Sequence, residues 1–153
     1  MARKQALALA LMIGLASTGA TADEVVSKQQ VIDYVDRMLA HVAAVGIERA
    51  FADFSNTKGP WIEGELYPFC HSLNGINVAH GGNPNMVGKG GVLDIQDPDG
   101  RYVNRLIFDK VLAEGKGWVE YKWPHPLTKK IVMKDVYSVL VQGKYICGSG
   151  RYR

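Results

Sequence analysis

The chain of 153 residues has only two cysteines, and it lacks the motifs that usually carry catalysis. Cys70 and Cys147 do not form a CxxC redox motif. No serine lies in a Gly-x-Ser-x-Gly nucleophile elbow, and no glycine-rich segment has the frame of a phosphate-binding loop. The 4 histidines do not have the spacing of metal ligands. We therefore expect no enzymatic activity, no metal and no cofactor.

A hydrophobic run long enough to cross a membrane is also missing. The longest apolar run, Ala6 to Leu15, follows two basic residues and precedes small residues that end at Ala22. This order is typical of a cleaved signal peptide, whereas a membrane-spanning helix needs about 20 apolar residues. We expect residues 1–22 to be a signal peptide cleaved before Asp23, which would make the protein periplasmic or secreted. A retained anchor is the alternative.

Positive charge is not clustered in the rest of the chain. Removal of residues 1–22 would remove two of the 18 Lys and Arg residues and none of the 15 acidic residues, so the net charge would fall from +3 to +1. Lys129-Lys130 is an isolated basic pair, and a nucleic-acid partner is therefore not expected. The remaining residues, 23–153, are enough for one domain with a hydrophobic core.

The periodicity of apolar residues predicts an α+β domain. A long helix begins at Ser27, which forms a capping box with Gln30, and a second helix covers Ile47 to Phe54. The dipeptide Asn74-Gly75 between two apolar runs predicts a hairpin. A third helix enters at residues 97–100 and ends at Gly115. Three more strands, 118–123, 132–141 and 144–152, would complete one antiparallel sheet with one covered face and one partly open face.

The two cysteines allow two interpretations. An oxidising compartment would favour a disulfide between Cys70 and Cys147, provided that their strands are adjacent. Two buried thiols that behave as small apolar residues are equally compatible with the sequence.

Aromatic residues on one strand give the main indication of a binding site. Alternation along residues 118–123 places Tyr121 and Trp123 on one face, although aromatic residues in strands belong more often to the core than to a pocket. Lys134 and Tyr137 follow on the next strand, and His80 ends the hairpin beside a glycine-rich loop. A pocket lined by aromatic rings with one cation suits a small carboxylate.

Several blocks of the sequence resemble single Cache domains in the same order. They are Leu66-Tyr67-Pro68-Phe69, Ala79-His80 with Asn83-Pro84 and Val87-Gly88-Lys89, Asp97-Pro98-Asp99-Gly100, Gly117 to Pro124, and Gly148 to Tyr152. The resemblance implies a PAS-like sensor fold in which a long N-terminal helix packs on a central antiparallel sheet of about five strands. It also implies a pocket for a small extracellular ligand, commonly a short organic acid. Carried over by position, the pocket residues are His80, Tyr121, Trp123, Lys134 and Tyr137.

The resemblance also sets expectations about partners. Most relatives precede a membrane helix and an output module, whereas this chain ends at Arg153, so we expect a membrane-bound receptor, kinase or transporter to read the bound state. A homodimer through the long helix is compatible with this arrangement. A Cys70 to Cys147 bridge would tie the first and last strands together. The alternative function is a structural or interaction module of the periplasm without a small ligand.

Overall fold

The computed structural model describes residues 25–153. The predicted signal peptide and the cleavage point before Asp23 lie outside these residues. No helix within residues 25–153 is long and apolar enough to cross a membrane.

Helix α1, Lys28–Val45, begins at the predicted capping box. The Gln30 backbone N–H donates to Ser27 Oγ at 3.1 Å, and the Ser27 backbone N–H donates to the Gln30 side chain at 2.6 Å. Gly46, with φ of 84°, ends α1 and allows the chain to turn into α2, Ile47–Phe54. One face of α1 is buried, as the periodicity predicts, through Val31, Tyr34, Val35, Met38 and Val42.

Five strands form one antiparallel sheet, which confirms the predicted α+β class. The strands lie in the order β2-β1-β5-β4-β3. Their bounds are β1 Phe69–Ser72, β2 Asn77–His80, β3 Lys116–Pro124, β4 Ile131–Val141 and β5 Tyr145–Tyr152. The first and last strands are therefore neighbours at the centre of the sheet, although most of the chain separates them.

Two tight turns are built from residues with positive φ. Gly75, with φ of 78°, lies in the predicted turn between β1 and β2. Gln142 and Gly143, with φ of 53° and 65°, form the turn between β4 and β5, and a type I′ turn requires this backbone at both central positions. Strand β1 begins only at Phe69 because Pro68 has no N–H to donate to a neighbouring strand.

Each face of the sheet carries helices. Helices α1 and α2 pack on one face, and α3, Val103–Glu114, packs on the other against β3 and β4. Helix α3 covers part of this second face and, together with the sheet, borders a small cavity. The predicted start of α3 was wrong. Residues 97–100 form a turn in which the Asp97 carboxylate accepts from the backbone N–H groups of Asp99 and Arg101 at 3.0 and 2.9 Å.

Cys70 and Cys147 form a disulfide. The two residues lie directly opposite each other on β1 and β5, with 4.1 Å between their Cα atoms. The bridge lies on the α1 side of the sheet, where both residues are part of the core. It ties the first and last strands together, and it excludes the interpretation of two free thiols.

Candidate functional site

A small cavity lies between the sheet and α3. Its volume is about 20 Å³, which is enough for one water molecule. Ten residues line it: Tyr67, Phe69, His71, His80, Met86, Val103, Asn104, Tyr121, Trp123 and Lys134. None of these residues is an aspartate or a glutamate, so the wall contributes one permanent charge, which is positive.

Four of the five predicted site residues meet at this cavity. They are His80, Tyr121, Trp123 and Lys134. Tyr137 does not join them, and its prediction as a pocket residue was wrong. It lies three positions from Lys134 on β4, so the alternation of a strand turns its side chain to the opposite face. There Tyr137 packs in the core beneath α1, with its ring 5.2 Å from the ring of Trp118.

Lys134 is a buried cation that has no carboxylate partner among residues 25–153. Its side chain is fully enclosed, with a residue exposure of 2%. The ammonium donates to the Tyr67 hydroxyl at 2.8 Å and lies over the rings of Tyr67 and Tyr152, 4.1 and 4.9 Å from their centres. The adjacent Asp135 points to the other face of the sheet and pairs with Arg151 and Arg153. The positive charge of Lys134 is therefore stabilised by contacts with two aromatic rings and by one hydrogen bond to a hydroxyl.

Two tyrosines extend this polar contact into a chain of hydrogen bonds. The Tyr152 hydroxyl donates to the Pro124 carbonyl at 3.1 Å, so its oxygen accepts the proton of the Tyr67 hydroxyl at 3.0 Å. Burial raises the pKa of Tyr152. Burial also acts to raise the pKa of Tyr67, but the charge of the Lys134 ammonium and the hydrogen bond that it donates outweigh burial, so the pKa of Tyr67 lies below its ordinary value. Tyr67 is thus fixed beside the cation, and its backbone carbonyl accepts from Ser149 at 2.8 Å.

His80 is a neutral donor in the wall of the cavity. Burial, with the nearby Lys134 charge and His71, lowers the pKa of His80 to about 3. Its Nδ1 accepts the backbone N–H of Asn83 at 2.9 Å, so the proton of the neutral ring is on Nε2. The ring stacks on Tyr67, with 5.4 Å between the ring centres. His80 therefore presents an N–H without adding a second positive charge.

His71 is a second buried histidine in the wall, and its role was not predicted. Burial lowers the pKa of His71 to about 4, so this ring is also neutral. Within the described part of the chain, its Nδ1 has no hydrogen-bond partner. Tyr67 and His71 flank Phe69 at alternate positions, and all three line the cavity. The period of two that relates His71 to Phe69 on β1 was the signal that could have identified His71.

A model of the Cache domain family matches residues 23–153. The chain belongs to this family. Cache domains are sensor domains, and the five-stranded antiparallel sheet with a long N-terminal helix is the PAS-like arrangement of the family.

Solved structures with the same fold include sensor domains of chemotaxis proteins. A methyl-accepting chemotaxis protein from Vibrio parahaemolyticus RIMD 2210633 superposes with a TM-score of 0.70 at 20% identity, over 82% of this chain and 87% of that chain. A Cache chemosensory domain described for carboxylic acid recognition superposes with a TM-score of 0.61 at 26% identity, over 81% of this chain and 86% of that chain. The periplasmic sensor domain of a chemotaxis protein superposes with a TM-score of 0.61 at 25% identity, over 79% of this chain and 86% of that chain. No curated protein sequence matches the chain.

Gly150 of this Cache domain makes room for the Lys134 side chain. A Cβ atom at position 150 would lie 2.9 Å from Lys134 Cε and 2.5 Å from the Asp135 carbonyl oxygen. We expect Gly150→Ala to lower the free energy of unfolding by about 1–3 kcal/mol, because the strand and the lysine must shift. Urea denaturation measures the change. Gly90→Ala is the control, since a Cβ at position 90 meets nothing within 4 Å. Equal stability of the two variants would contradict this packing.

Because His71 and His80 are neutral and buried, we expect the free energy of unfolding to fall in mild acid. The pKa values of His71 and His80, about 4 and 3, lie below the unfolded value of about 6.5. Between these limits the unfolded chain binds more protons than the folded domain, so stability falls as the pH falls. From pH 7 to pH 5 each histidine accounts for about 2 kcal/mol. Urea denaturation at both pH values measures this, and His71→Leu should remove about half of the difference. An unchanged pH dependence in His71→Leu would contradict a buried neutral ring.

Proposed function

We propose that this Cache domain is an exported sensor domain that binds a short carboxylic acid, and that Lys134 neutralises the carboxylate. The observation that carries the proposal is the buried, uncompensated charge of Lys134. A charge without a counter-ion inside a protein costs several kcal/mol, and charged side chains are rarely enclosed unless they are paired. A carboxylate in the cavity supplies the missing negative charge in a region where water does not screen the attraction.

The wall of the cavity provides donors for such a group. The ammonium of Lys134 and the Nε2–H of His80 both belong to this wall, and hydrogen bonds from a charged donor to a carboxylate are among the strongest in proteins. Tyr121 and Trp123, packed edge to face at 5.8 Å, enclose the carbon chain. The proposed site includes Tyr67 instead of Tyr137, because the Tyr67 hydroxyl accepts a hydrogen bond from Lys134 and fixes its position.

The acid enters through a neighbouring cleft. This cleft has a volume of about 310 Å³ and shares four residues with the cavity, namely Tyr67, His80, Met86 and Trp123. Met86 lies in a short 3-10 turn, Pro84–Met86, and its unbranched side chain adapts easily to a new shape. Displacement of Met86 joins the cavity to the cleft and makes room for an acid of two to four carbon atoms.

The proposed location and partner are supported by the sequence and by the similar structures. A signal peptide at residues 1–22 would place the domain in the periplasm or outside the cell, where a short acid arrives from the environment. One similar structure is described as a periplasmic sensor domain of a chemotaxis protein, and another as a Cache domain that recognises carboxylic acids. A membrane-bound receptor, kinase or transporter then recognises the domain in its ligand-bound form.

A thermal-shift and calorimetry screen of the purified protein tests the proposal. Acetate, propionate and butyrate should raise the melting temperature, whereas acetamide and propionamide, which have similar shapes but no charge, should not. At 100 times the Kd the stabilisation is about 2.7 kcal/mol. If no acid stabilises the domain, or if the amides bind equally well, the charge of Lys134 does not recognise the ligand. A domain without any small-molecule response would fit the alternative of an interaction module.

A further inference from the structure

The loop between β3 and β4 exposes apolar and basic side chains together. We call residues 124–131 the β3–β4 tip. Within residues 25–153, Leu127 has the highest exposed fraction of the large hydrophobic residues, 68%, and Ile131 is 49% exposed. Lys129 and Lys130, the basic pair of the sequence, are exposed as well. Single exposed apolar residues are common on proteins, but two of them beside two lysines in one loop form a surface that mixes both properties.

Hydrogen bonds within the loop give the β3–β4 tip a fixed shape. The ring Nδ1 of His125 accepts the backbone N–H groups of Leu127 and Thr128 at 3.2 and 3.3 Å. The His125 backbone N–H donates to the Lys130 carbonyl at 2.8 Å, and the His125 carbonyl accepts from the Lys129 backbone N–H at 2.9 Å. The loop is thus closed by its own contacts, and Leu127 remains in solvent instead of joining the core.

Lys129 has a strained backbone conformation. Its φ of 62° lies in the left-handed region, which glycine adopts without strain and a lysine rarely adopts. The Lys129 ammonium donates to the Pro126 carbonyl at 2.6 Å, and two of its three N–H donors are left for other groups. A positive charge is therefore present on this loop despite backbone strain, and retained strain is typical of functional sites.

The charge on the β3–β4 tip is positive. No aspartate or glutamate occurs within residues 121–134. The carboxylate of Glu65 approaches the loop from another segment, but it is mostly buried and pairs with His125 at 3.3 Å. Lys129 and Lys130 form no salt bridge with another residue of the described part of the chain. Two unpaired cations beside two exposed apolar side chains match a surface that has negative charges above an apolar layer.

We propose that the β3–β4 tip docks on an anionic lipid surface, with Leu127 at the boundary between head groups and acyl chains and the two lysines beside the phosphates. An acidic protein would account for the lysines alone, whereas an anionic bilayer also accepts protruding apolar side chains without a matching pocket. The inference goes beyond the proposed function and does not depend on acid binding, because Leu127 and Lys130 line neither the cavity nor the cleft.

Co-sedimentation of the purified exported protein with lipid vesicles tests the docking. Vesicles of phosphatidylcholine are compared with vesicles of equal parts of phosphatidylcholine and phosphatidylglycerol. We expect binding to the anionic vesicles, weakened at high ionic strength, and no binding to the neutral ones. Equal binding to both, or no binding to either, would overturn the proposal. The proposed function would stand in that case, since the acid screen tests it separately.

Matched variants assign the binding to the β3–β4 tip. Leu127→Ser should lower the partition coefficient for anionic vesicles about tenfold, and Lys130→Gln should lower it about fivefold. Leu112→Ser on α3 and Lys144→Gln beside the turn between β4 and β5 are the controls, because both residues are exposed outside the tip. All variants share the N-terminus of the wild type, so a contribution from residues 1–22 is the same in each. A control that loses as much binding as its tip variant would overturn the proposal.

Lys129→Gly separates a lipid contact from a structural role. Glycine relieves the left-handed backbone, so the melting temperature should stay the same or rise while the partition coefficient falls about fivefold. A lower melting temperature with unchanged vesicle binding would show that the lysine serves the loop, and would overturn the proposal. Association of the tip with a purified protein, without binding to any vesicle, would identify a protein-binding surface and would overturn it as well.

Discussion

Lys134→Met is expected to abolish acid binding without destabilising the ligand-free domain. Methionine has nearly the length of the lysine side chain but no charge, so the aromatic packing around it is kept while the buried charge disappears. The Tyr67 hydroxyl keeps its hydrogen bond to Tyr152. Removal of one partner of a buried ionic pair costs about 3–5 kcal/mol, which corresponds to a loss of affinity of at least about 100-fold. Calorimetry gives the affinity, and thermal denaturation gives the stability.

Tyr137→Phe is the matched control for this substitution. Tyr137 was predicted to be in the pocket, but it lies on the opposite face of the sheet beneath α1, so its substitution should leave acid affinity unchanged. A Lys134→Met protein that retains affinity would show that the carboxylate binds elsewhere. A Lys134→Met protein that is strongly destabilised without ligand would show that the lysine serves the fold.

The second large effect is expected from the loss of the disulfide. The bridge spans 77 residues of sequence, so in the unfolded chain it closes a long loop. Replacement of Cys70 and Cys147 by alanine should lower the free energy of unfolding by about 4 kcal/mol and the melting temperature by more than about 10 °C. Urea denaturation of the wild type and of the double variant measures the difference.

Reducing agent provides the control for the disulfide. It should destabilise the wild type by a similar amount and leave the double variant unchanged. A wild type that loses less than about 1 kcal/mol on reduction would contradict a bridge that constrains the unfolded chain. Acid affinity should remain in the folded double variant, because the bridge lies on the α1 side of the sheet and the cavity on the other.

Local patterns were sufficient to predict most of the fold. The capping box at Ser27, the glycine at position 46 and the turn at residues 142–143 act within a few residues, so their effects can be inferred from the sequence. The entry to α3 could not be inferred in this way. The Asp97 carboxylate accepts backbone N–H groups of its own turn and also that of Lys122 on β3, and the second contact depends on the tertiary structure.

The candidate site could be predicted only in part. Alternation correctly placed Tyr121 and Trp123 together, and the same rule, applied to the three-residue step from Lys134, would have excluded Tyr137. Tyr67 was harder to find because Pro68 interrupts the strand pattern just after it. Its position beside Lys134 depends on the pairing of β1 with β5 and of β5 with β4, and this pairing brings together residues 67 positions apart.

A crystal structure of the protein with the acid that stabilises it most tests the central claim directly. We expect one carboxylate oxygen at about 2.7–2.9 Å from Lys134 Nζ, with His80 Nε2 donating to the same group. Tyr121 and Trp123 should enclose the carbon chain. An acid bound outside this cavity, or a Lys134 ammonium that stays on Tyr67 with no carboxylate beside it at saturating acid, would contradict the account.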